Sequence, residues 1–316
     1  MKIDPNHLMQ LAAIVEYGGF TKAANSLGMT QPALSRTIIN LEKRLNAQLF
    51  SRRGRPLQAT PIAFSLAEQG RAILAATKIA SDNVELIQSG TMGAIRVAGP
   101  QFFMDALVSG LLADYRNRYP EVRIDQRNGY PTELIALIRN GEIDVAICPI
   151  DRMTQDSDIE FTPLMESRNI IACRGGHPLL PRRDIVVRDL LDYDWIEPPA
   201  RSPLLSDFKS AFVSMGAESM RIGYTAESTG SVLNYLKRSD CLTVLPYAVV
   251  FAHRHSGDIM ALPMKLDHPR RQVGLLRSKH ILRTPTVDRF TTFIADRFAE
   301  MKDLIRRHEN IMVWGR

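Results

Sequence analysis

Near the N-terminus, the stretch MTQPALSR places several base-contacting side chains at the predicted start of a helix. Gln31 pairs bidentately with adenine, Arg36 with guanine, and Ser35 with several base edges or a phosphate, if they face a DNA groove. Thr30 fits the N-cap position, and Pro32 falls in the first turn, where a missing backbone N–H costs nothing. The types and spacing of these residues therefore predict a helix that reads bases.

The predicted helix has two contrasting faces at about 100° of rotation per residue. Its apolar stripe consists of Leu34, Ile38, Leu41 and Leu45, and the helix ends near Asn46. The opposite face carries Pro32, Arg36, Ile39 and Lys43, with Gln31 and Ser35 beside it. Ile39 is unexplained as a solvated residue, whereas contact with a thymine methyl group would explain it.

Two helices are predicted before this one. Residues 5–17 carry an apolar stripe at helical spacing, and the pair Gly18–Gly19 ends that helix. Thr21 is the expected N-cap of a short second helix, KAANSLG, which Gly28 ends. A short helix, a glycine-containing turn and the base-reading helix together form a helix-turn-helix, whose second helix enters the major groove. The alternative is a three-helix core whose exposed face is only polar.

A basic turn, SRRGRPL, follows and contains Arg52, Arg53 and Arg55. We expect these guanidinium groups to contact phosphates or an adjacent minor groove. The charge distribution agrees, because residues 1–90 contain ten Lys and Arg against six Asp and Glu, whereas the rest of the chain contains thirty against twenty-eight. This excess of positive charge favours a polyanionic partner for the first part of the chain.

A long helix is predicted from about Pro61 to Ser89. In it an apolar residue recurs at every seventh position, at Leu66, Ile73, Ala80 and Ile87. This repeat is typical of the seam of a two-stranded coiled coil. A single amphipathic helix lying on its own domain would show the same short repeat. The sequence SGTMGA then predicts a linker.

The pattern changes class after this linker. Strands are predicted in AIRVAG, VRIDQRN and IDVAICPI, with helices between them. This alternation predicts a parallel sheet with short loops. A second block of the same kind begins near Pro163, and a last amphipathic helix is predicted at 285–307.

The segment FTKAANSLGMTQPALSRTIINLEKRLNAQLFSRRGRPLQATPIA resembles the winged-helix signature of LysR-type transcriptional regulators. The matching frame is AA..L..TQPALS..I..LE..L...LF.R, followed by the TP that opens the long helix. The order of the elements and the length match along the whole chain. Two departures are Ala59 and Ala63, where the family usually has Leu and Gly beside the TP pair, so the corner between wing and helix is expected to pack differently.

The resemblance implies a multi-domain α+β fold. Residues 1–60 would form the winged helix-turn-helix, 61–90 the linker and dimerisation helix, and 91–316 an effector-binding domain of two α/β lobes similar to periplasmic binding proteins. Lobe one would comprise 91–162 and 266–316, and lobe two 163–265. By the same resemblance, Thr30, Gln31, Pro32, Ser35 and Arg36 match the recognition helix, and Arg52, Arg53 and Arg55 match the wing.

Two such lobes place the carboxyl ends of their strands around a cleft, where α/β sheets bind ligands. The expected effector-contacting residues are therefore in loops after strands: Pro100, Gln101, Tyr130, Thr132, Pro149, Arg201, Ser202, Ser228, Thr229 and Pro246. Helices starting at Thr132 and Thr229 would offer N–H groups to an anion, and Arg201 a charge partner, so an anionic metabolite is one candidate effector. The alternatives are helix caps, loop prolines and a surface arginine.

Several function classes have no support in the sequence. It holds no GxSxG, no phosphate-binding loop and no metal-ligand cluster, so we predict no catalytic residue, no metal and no cofactor, and no enzyme. It also lacks a membrane-length apolar stretch and a signal peptide, and its three cysteines suit a reducing cytoplasm. His253 and His255 lack metal-binding spacing. Cys148 is predicted as either a peroxide sensor or, more simply, a buried thiol.

The sequence thus predicts a cytoplasmic LysR-type regulator whose binding to operator DNA, or promoter activation, is controlled by an unidentified small molecule. It would self-associate as a dimer or, as a dimer of dimers, a homotetramer, and it would contact RNA polymerase if it is an activator. Two other classes stay open on the body alone. One is a ligand-binding transport component, and the other is a non-specific architectural DNA binder with an inert body.

Overall fold

The computed structural model describes residues 3–51, 57–88, 93–151, 158–182, 184–214, 216, 220–264, 271–281 and 284–314. The predicted wing residues Arg52, Arg53 and Arg55 lie outside these ranges. The chain divides into two compact units, the first built mainly from the residues up to Gly90 and the second from those that follow.

Four helices form the first unit: α1 Pro5–Tyr17, α2 Phe20–Ser26, α3 Gln31–Leu45 and α4 Pro61–Gln88. The side chain of Asp4 caps α1 by accepting a hydrogen bond from the Asn6 amide at 2.9 Å. The apolar faces of the helices meet in one cluster that includes Leu11, Ile14, Leu34, Ile38 and Leu41, all at most 2% exposed. The buried stripe expected for the third helix is therefore confirmed, with Leu45 half-buried at its end.

The second helix begins earlier than expected. It starts at Phe20 after the extended residue Gly19 (φ 172°), which provides no side-chain cap, so the prediction of Thr21 as the N-cap is wrong. Phe20 packs edge-on against Phe50 at 5.5 Å between ring centroids. This contact anchors the beginning of α2 to the core, although it satisfies none of the first-turn amides.

Helix α4 packs closely along α1. A Cβ on Gly70 would lie 2.0 Å from the carbonyl oxygen of Leu8, so only glycine allows this approach. Ala63 and Ala67 on the same face of α4 are fully buried. The alanine at position 63 thus fits within the core of the first unit, and Ala59 packs against it half-buried.

The second unit contains a five-stranded sheet in the order β2-β1-β3-β10-β4. Its strands are β1 Gly93–Gly99, β2 Val122–Asn128, β3 Val145–Asp151, β4 Ile159–Ser167 and β10 Arg271–Ser278. The first three are parallel, as predicted, whereas β10 runs antiparallel to both β3 and β4. We call this sheet with its helices lobe one. Pro163 lies inside β4 of this sheet rather than at the start of a second block.

Helices cover both faces of this sheet. They are α5 Gln101–Phe103, a π-helical turn Met104–Val108, α6 Ser109–Arg118, α7 Pro131–Arg139 and the first half of α12 Pro285–Trp314. Side chains alternate along β3, so Val145 and Ile147 point to the cluster with α12, whereas Ala146 and Cys148 point to the cluster with α7.

Lobe two is built on a three-stranded sheet, β8-β5-β9, and a two-stranded sheet, β6-β7. The strands are β5 Asn169–Arg174, β6 Trp195–Glu197, β7 Ile222–Thr225, β8 Thr243–Pro246 and β9 Ile259–Ala261. The helices are α8 Val187–Leu191, α9 Pro203–Ser214, α10 Thr229–Leu236 and α11 Tyr247–Ala252. Trp195, fully buried, packs edge-on against Phe208 and Phe212 of α9.

Helix α12 belongs to the cores of both lobes. Phe290, Ile294 and Phe298 pack in the lobe-one cluster, whereas Ile305 and Val313 pack in a lobe-two cluster. The helix extends to Trp314, beyond the predicted end at residue 307. In the sequence, the charged stretch RRHEN interrupts the apolar pattern, so the predicted helix stopped before the apolar residues that follow it.

Candidate nucleic-acid interface and ligand cleft

Helix α3 begins as the sequence predicts. The Thr30 side chain accepts a hydrogen bond from the Ala33 amide at 3.4 Å, and Pro32 lies in the first turn. The turn between α2 and α3 contains Gly28 at φ 64°, a backbone conformation that a side chain would strain. Asn46 in the left-handed conformation ends the helix.

The outer face of α3 is open. Gln31, Pro32 and Arg36 are exposed and Ser35 is half-buried. Ile39 is 48% exposed, although it is apolar. The structure thus brings these predicted residues together on one accessible surface, opposite the buried stripe.

The segment after α3 is joined to that helix by Glu42. Glu42 Oε1 accepts hydrogen bonds from the amides of Leu49 at 2.7 Å and Phe50 at 3.4 Å. Phe50 pairs with Ala59 in an antiparallel bridge, which closes the base of the segment that contains the predicted wing arginines. Sequence reasoning did not single out Glu42, although it stands in the LE pair of the signature.

Helix α4 carries an apolar stripe that is partly exposed, and Leu66 within it also packs against the core of the first unit. Ile62 and Val84 are 49% and 54% exposed, Ala80 is exposed, and Leu66 and Ile73 are half-buried. These residues lie on one helical face. The side chain of Ile87 lies outside the described residues. An exposed apolar stripe of this length on a helix is typical of a contact surface.

The second unit holds a cleft of about 640 Å³, including its open mouth. Six of the predicted effector-contacting residues line it: Pro100, Gln101, Tyr130, Pro149, Ser202 and Pro246. Pro100 and Tyr130 follow strands, and Gln101 and Ser202 stand at helix starts, as expected for α/β sheets. Pro149 was expected after the third strand but lies within β3, and Pro246 is the last residue of β8.

Four predicted residues lie elsewhere than in the cleft lining that the described residues form: Thr132, Arg201, Ser228 and Thr229. Arg201 and Thr132 are exposed. Ser228 is the N-cap of α10, with its hydroxyl accepting from the Ser231 amide at 3.5 Å, and Thr229 is 2% exposed. Ser228 therefore acts as a helix cap, which was the alternative to ligand contact at this position.

Pro131 and Glu227, which follow strands in the predicted pattern, also line the cleft. Sequence reasoning missed the rest of the lining: Phe102, Phe103, Ser167, Asn169, Pro203, Leu204, Asp207 and Arg271. For one of these residues, Asp207, the sequence contains a signal that could have identified it. Asp207 stands on the same face of α9 as the buried residues Leu204 and Phe208, where an acidic residue is unexpected. A carboxylate on an apolar helical face indicates a paired or ligand-facing group.

Asp207 anchors a polar cluster in the cleft. Its carboxylate is 1% exposed, and Oδ2 accepts from Arg271 Nη1 at 2.6 Å and from Asn169 Nδ2 at 2.8 Å. Ser167 and Asn169 flank the single residue between β4 and β5, so alternation directs both toward the cleft and Arg168 to the other side. Arg168 there pairs with Glu309 of α12.

The residues considered for redox or metal chemistry form no comparable polar cluster among the described residues. Burial raises the pKa of the Cys148 thiol to about 12, and Cys148 faces the α7 cluster. His253 Nδ1 lies 3.2 Å from Asp258 Oδ1, and no group of three metal-binding side chains forms among the described residues. Among the helices of the described ranges, none combines the length and apolar character required to cross a bilayer.

Comparisons with known proteins agree with this geometry. Residues 5–63 match the profile of the bacterial regulatory helix-turn-helix protein of the lysR family, and residues 88–299 match the LysR substrate binding domain. A probable RuBisCO transcriptional regulator of Porphyra purpurea is 32% identical over 223 residues, 68% of each chain. The SDS degradation transcriptional activation protein of a Pseudomonas species is 24% identical over 93% of this chain and 96% of its own.

Solved structures show the same fold. A full-length OxyR variant from Pseudomonas aeruginosa superimposes with a TM-score of 0.57 at 19% identity, covering 94% of this chain and 95% of that one. The regulator HinK from the same organism gives 0.52 at 20% identity, covering 95% and 100%. With the helix-turn-helix, the two-lobed cleft and both family profiles in place, the chain belongs to the LysR family of DNA-binding transcriptional regulators with an effector-binding domain.

Proposed function

We propose that this regulator reads operator DNA with the outer face of α3 and changes its action when a small molecule occupies the cleft. The observation that carries the DNA half is the exposed row Gln31, Pro32, Arg36 and Ile39 opposite the buried stripe of α3. The N-terminal residues of a recognition helix meet base edges in the major groove.

Each side chain has a defined part in this proposal. Gln31 and Arg36 provide bidentate pairing to adenine and guanine, and Ile39 contacts a thymine methyl group. Thr30, Pro32 and Ser35 set the start of the helix and add polar contacts. The arginines Arg52, Arg53 and Arg55, which lie outside the described residues, are proposed to hold the DNA backbone on the strength of the sequence.

The effector half rests on the cleft. Its lining comes from both lobes, so a ligand that contacts both stabilises a particular arrangement of them. Such a ligand shifts the regulator only if it binds the two arrangements with different affinities. RNA polymerase is a further partner if the regulator activates transcription.

Self-association through α4 completes the proposal. Two copies joined along the exposed stripe would present two recognition helices to a two-fold related site. A dimer of dimers, the homotetramer, would add a second pair of such helices. We place this regulator in the cytoplasm, without enzymatic activity.

Gel shifts on the promoter region beside its own gene test the reading helix. We expect Gln31→Ala and Arg36→Ala each to cost about 1–3 kcal/mol of binding and to relax the preference at one base position. Arg188→Ala, which removes an exposed arginine of α8, is the charge-matched control and should leave binding unchanged. If neither variant alters the sequence preference, α3 does not read the DNA.

The wing has a different expected signature. Arg52→Ala should weaken binding to all sequences about equally and lower the salt dependence of binding, because a phosphate contact releases counterions without reading bases. A loss confined to one operator sequence would refute this role.

A further inference from the structure

The charges in the cleft restrict the ligand that it accepts. Three of the described lining residues are charged: Asp207, Glu227 and Arg271. Asp207 and Arg271 neutralise each other across 2.6 Å, and Glu227 is exposed. The described lining therefore has a net charge of −1.

Arg271 is poorly placed to receive an anion. Its guanidinium is held by the carboxylate of Asp207, which is 1% exposed and is fixed as well by Asn169. An anionic ligand that approached Arg271 would meet this buried carboxylate at close range. Like charges brought together in a desolvated site cost several kcal/mol.

The helix that starts at the lobe-two wall offers no amide to an anion in its first turn. Pro203 begins α9 and has no N–H. The next two amides are engaged locally, because Leu204 N donates to Ser202 Oγ at 3.2 Å and Leu205 N donates to Ser202 O at 3.0 Å. On the lobe-one side, Pro131 likewise begins α7 without an N–H. The start of α9 therefore lacks the donors that make a helix N-terminus an anion site, and the first residue of α7 provides none.

Much of the wall is apolar. Phe102, Phe103 and Leu204 combine with several prolines, whereas Ser167 and Asn169 provide polar groups beside Asp207. Such a cleft suits a mainly apolar body with one hydrogen-bonding group that fixes its orientation. Arg201, which the sequence suggested as an added charge partner for an anion, is exposed outside the lining formed by the described residues.

We propose that the cleft binds an effector that carries no negative charge, namely a mainly apolar molecule with an amide or ammonium group directed toward Asn169 and Asp207. This inference rests on the proposed function, because it assigns a ligand class to the same cleft. It differs from the anionic metabolite that the sequence offers as one candidate effector.

Matched probes test it on the full chain. Benzoate, benzamide and benzylammonium share one apolar body, and cyclohexanecarboxylate, cyclohexanecarboxamide and cyclohexylmethylammonium share a second. Isothermal titration is expected to show binding of the amide or the ammonium compound in at least one set, with the carboxylate at least about tenfold weaker. A carboxylate that binds tightest in both sets, or no binding by any of the six compounds, would overturn the ligand class.

The variant Asp207→Asn should reverse the preference between carboxylate and ammonium ligands. It keeps the shape and the contact with Asn169 but leaves the charge of Arg271 uncompensated in the cleft. We expect the carboxylates to gain at least about tenfold in affinity and the ammonium compounds to lose affinity. Glu227→Gln, at an exposed position, is the second variant if Asp207→Asn does not fold, and it should shift the preference in the same direction by a smaller factor. Unchanged preferences in both variants would contradict the proposal.

Gln101→Trp separates this inference from the proposed function. Gln101 lines the cleft, and an indole there would fill it. If a carboxylate binds best and Gln101→Trp abolishes its binding, the ligand class is wrong while the cleft remains the effector site. If ligands of every head group bind this variant as they bind the wild type, the cleft is not the effector site and that half of the proposed function fails.

Discussion

Arg168 Nη1 lies 3.7 Å from Glu309 Oε1, so the residue between β4 and β5 is joined to the far end of α12. Glu309 is 5% exposed, and burial raises the pKa of its carboxyl group although Arg168 acts in the opposite direction. The neighbours of Arg168 in sequence, Ser167 and Asn169, line the cleft. One extended residue thus connects the ligand site to the helix shared by both lobes.

Removing the charge of Arg168 should make stability strongly dependent on pH. Arg168→Met leaves the buried Glu309 carboxylate without its cation, which we expect to cost about 1–3 kcal/mol at neutral pH. A carboxyl group whose pKa is raised in the folded state contributes stability below its unfolded pKa, and this stability is lost as pH rises through the folded pKa. The variant should therefore recover in mild acid, as measured by thermal unfolding at several pH values.

The double variant Arg168→Met/Glu309→Gln is the control for this prediction. It has no buried charge, so its deficit relative to the wild type should be smaller than that of Arg168→Met at neutral pH. Equal destabilisation of Arg168→Met in acid and at neutral pH would show that the arginine acts through packing alone.

Glu42 should support DNA binding without touching DNA. Glu42→Ala removes the acceptor for the amides of Leu49 and Phe50, whereas Glu42→Gln retains one acceptor oxygen. We expect the alanine variant to weaken operator binding severalfold and the glutamine variant to be intermediate. Gel shifts measure this order, and Asp296→Asn, an exposed site on α12, is the neutral control. Equal effects of the two Glu42 variants would remove the hydrogen bonds from the explanation.

Gly70→Ala should destabilise the first unit. Its Cβ would lie 2.0 Å from Leu8 O, so α1 and α4 would have to separate. We expect a loss of about 1–3 kcal/mol, seen as a lower melting temperature of the first unit. Gly110→Ala in α6 is the matched control, because a Cβ there meets nothing within 4 Å and alanine favours a helix. Similar melting temperatures for the two variants would contradict the close approach.

The apolar stripe on α4 should control self-association. Ala80→Glu places a charge on the stripe, whereas Lys78→Glu places one on another face of the same helix, and both positions are exposed. Sedimentation equilibrium is expected to show a smaller assembly for Ala80→Glu and an unchanged one for Lys78→Glu. If both variants assemble as the wild type does, the contact lies on another surface.

Cys148 and Cys173 should be chemically inert in the folded protein. Burial raises the pKa of Cys148 and of Cys173 to about 12, so the reactive thiolate is scarce at neutral pH. Treatment with hydrogen peroxide or iodoacetamide should leave both unmodified by mass spectrometry until denaturant is added. Rapid modification of Cys148 in the native protein would revive a redox role.

Local signals made α3 predictable from the sequence. Its cap, its proline and its buried stripe all depend on residues of this one helix and the residue before it, and each is found as expected. Thr21 shows the limit of such signals. It was predicted as the N-cap, but α2 begins one residue earlier, at Phe20, which packs on Phe50. The cap preference is worth only about 1 kcal/mol, which a buried aromatic contact exceeds.

Only the cleft residues that lie at the ends of strands could be predicted from the sequence. Pro100 and Tyr130 follow strands of one sheet and Pro149 lies near the carboxyl end of another strand of it, so their places derive from topology. Asp207 and Arg271 come from a helix and from a returning strand that are distant in sequence. Their meeting depends on how two lobes pack, and no local pattern encodes that.

Because α12 contributes to the cores of both lobes, it influences how the second unit unfolds. Melting either lobe would strip apolar cover from the other, because Phe298 and Ile305 occupy a single continuous helix. The two lobes are thereby bound into one cooperative folding unit, which calorimetry would record as a single transition. A bound ligand would then protect the lobe that it barely touches as well as the one that holds it.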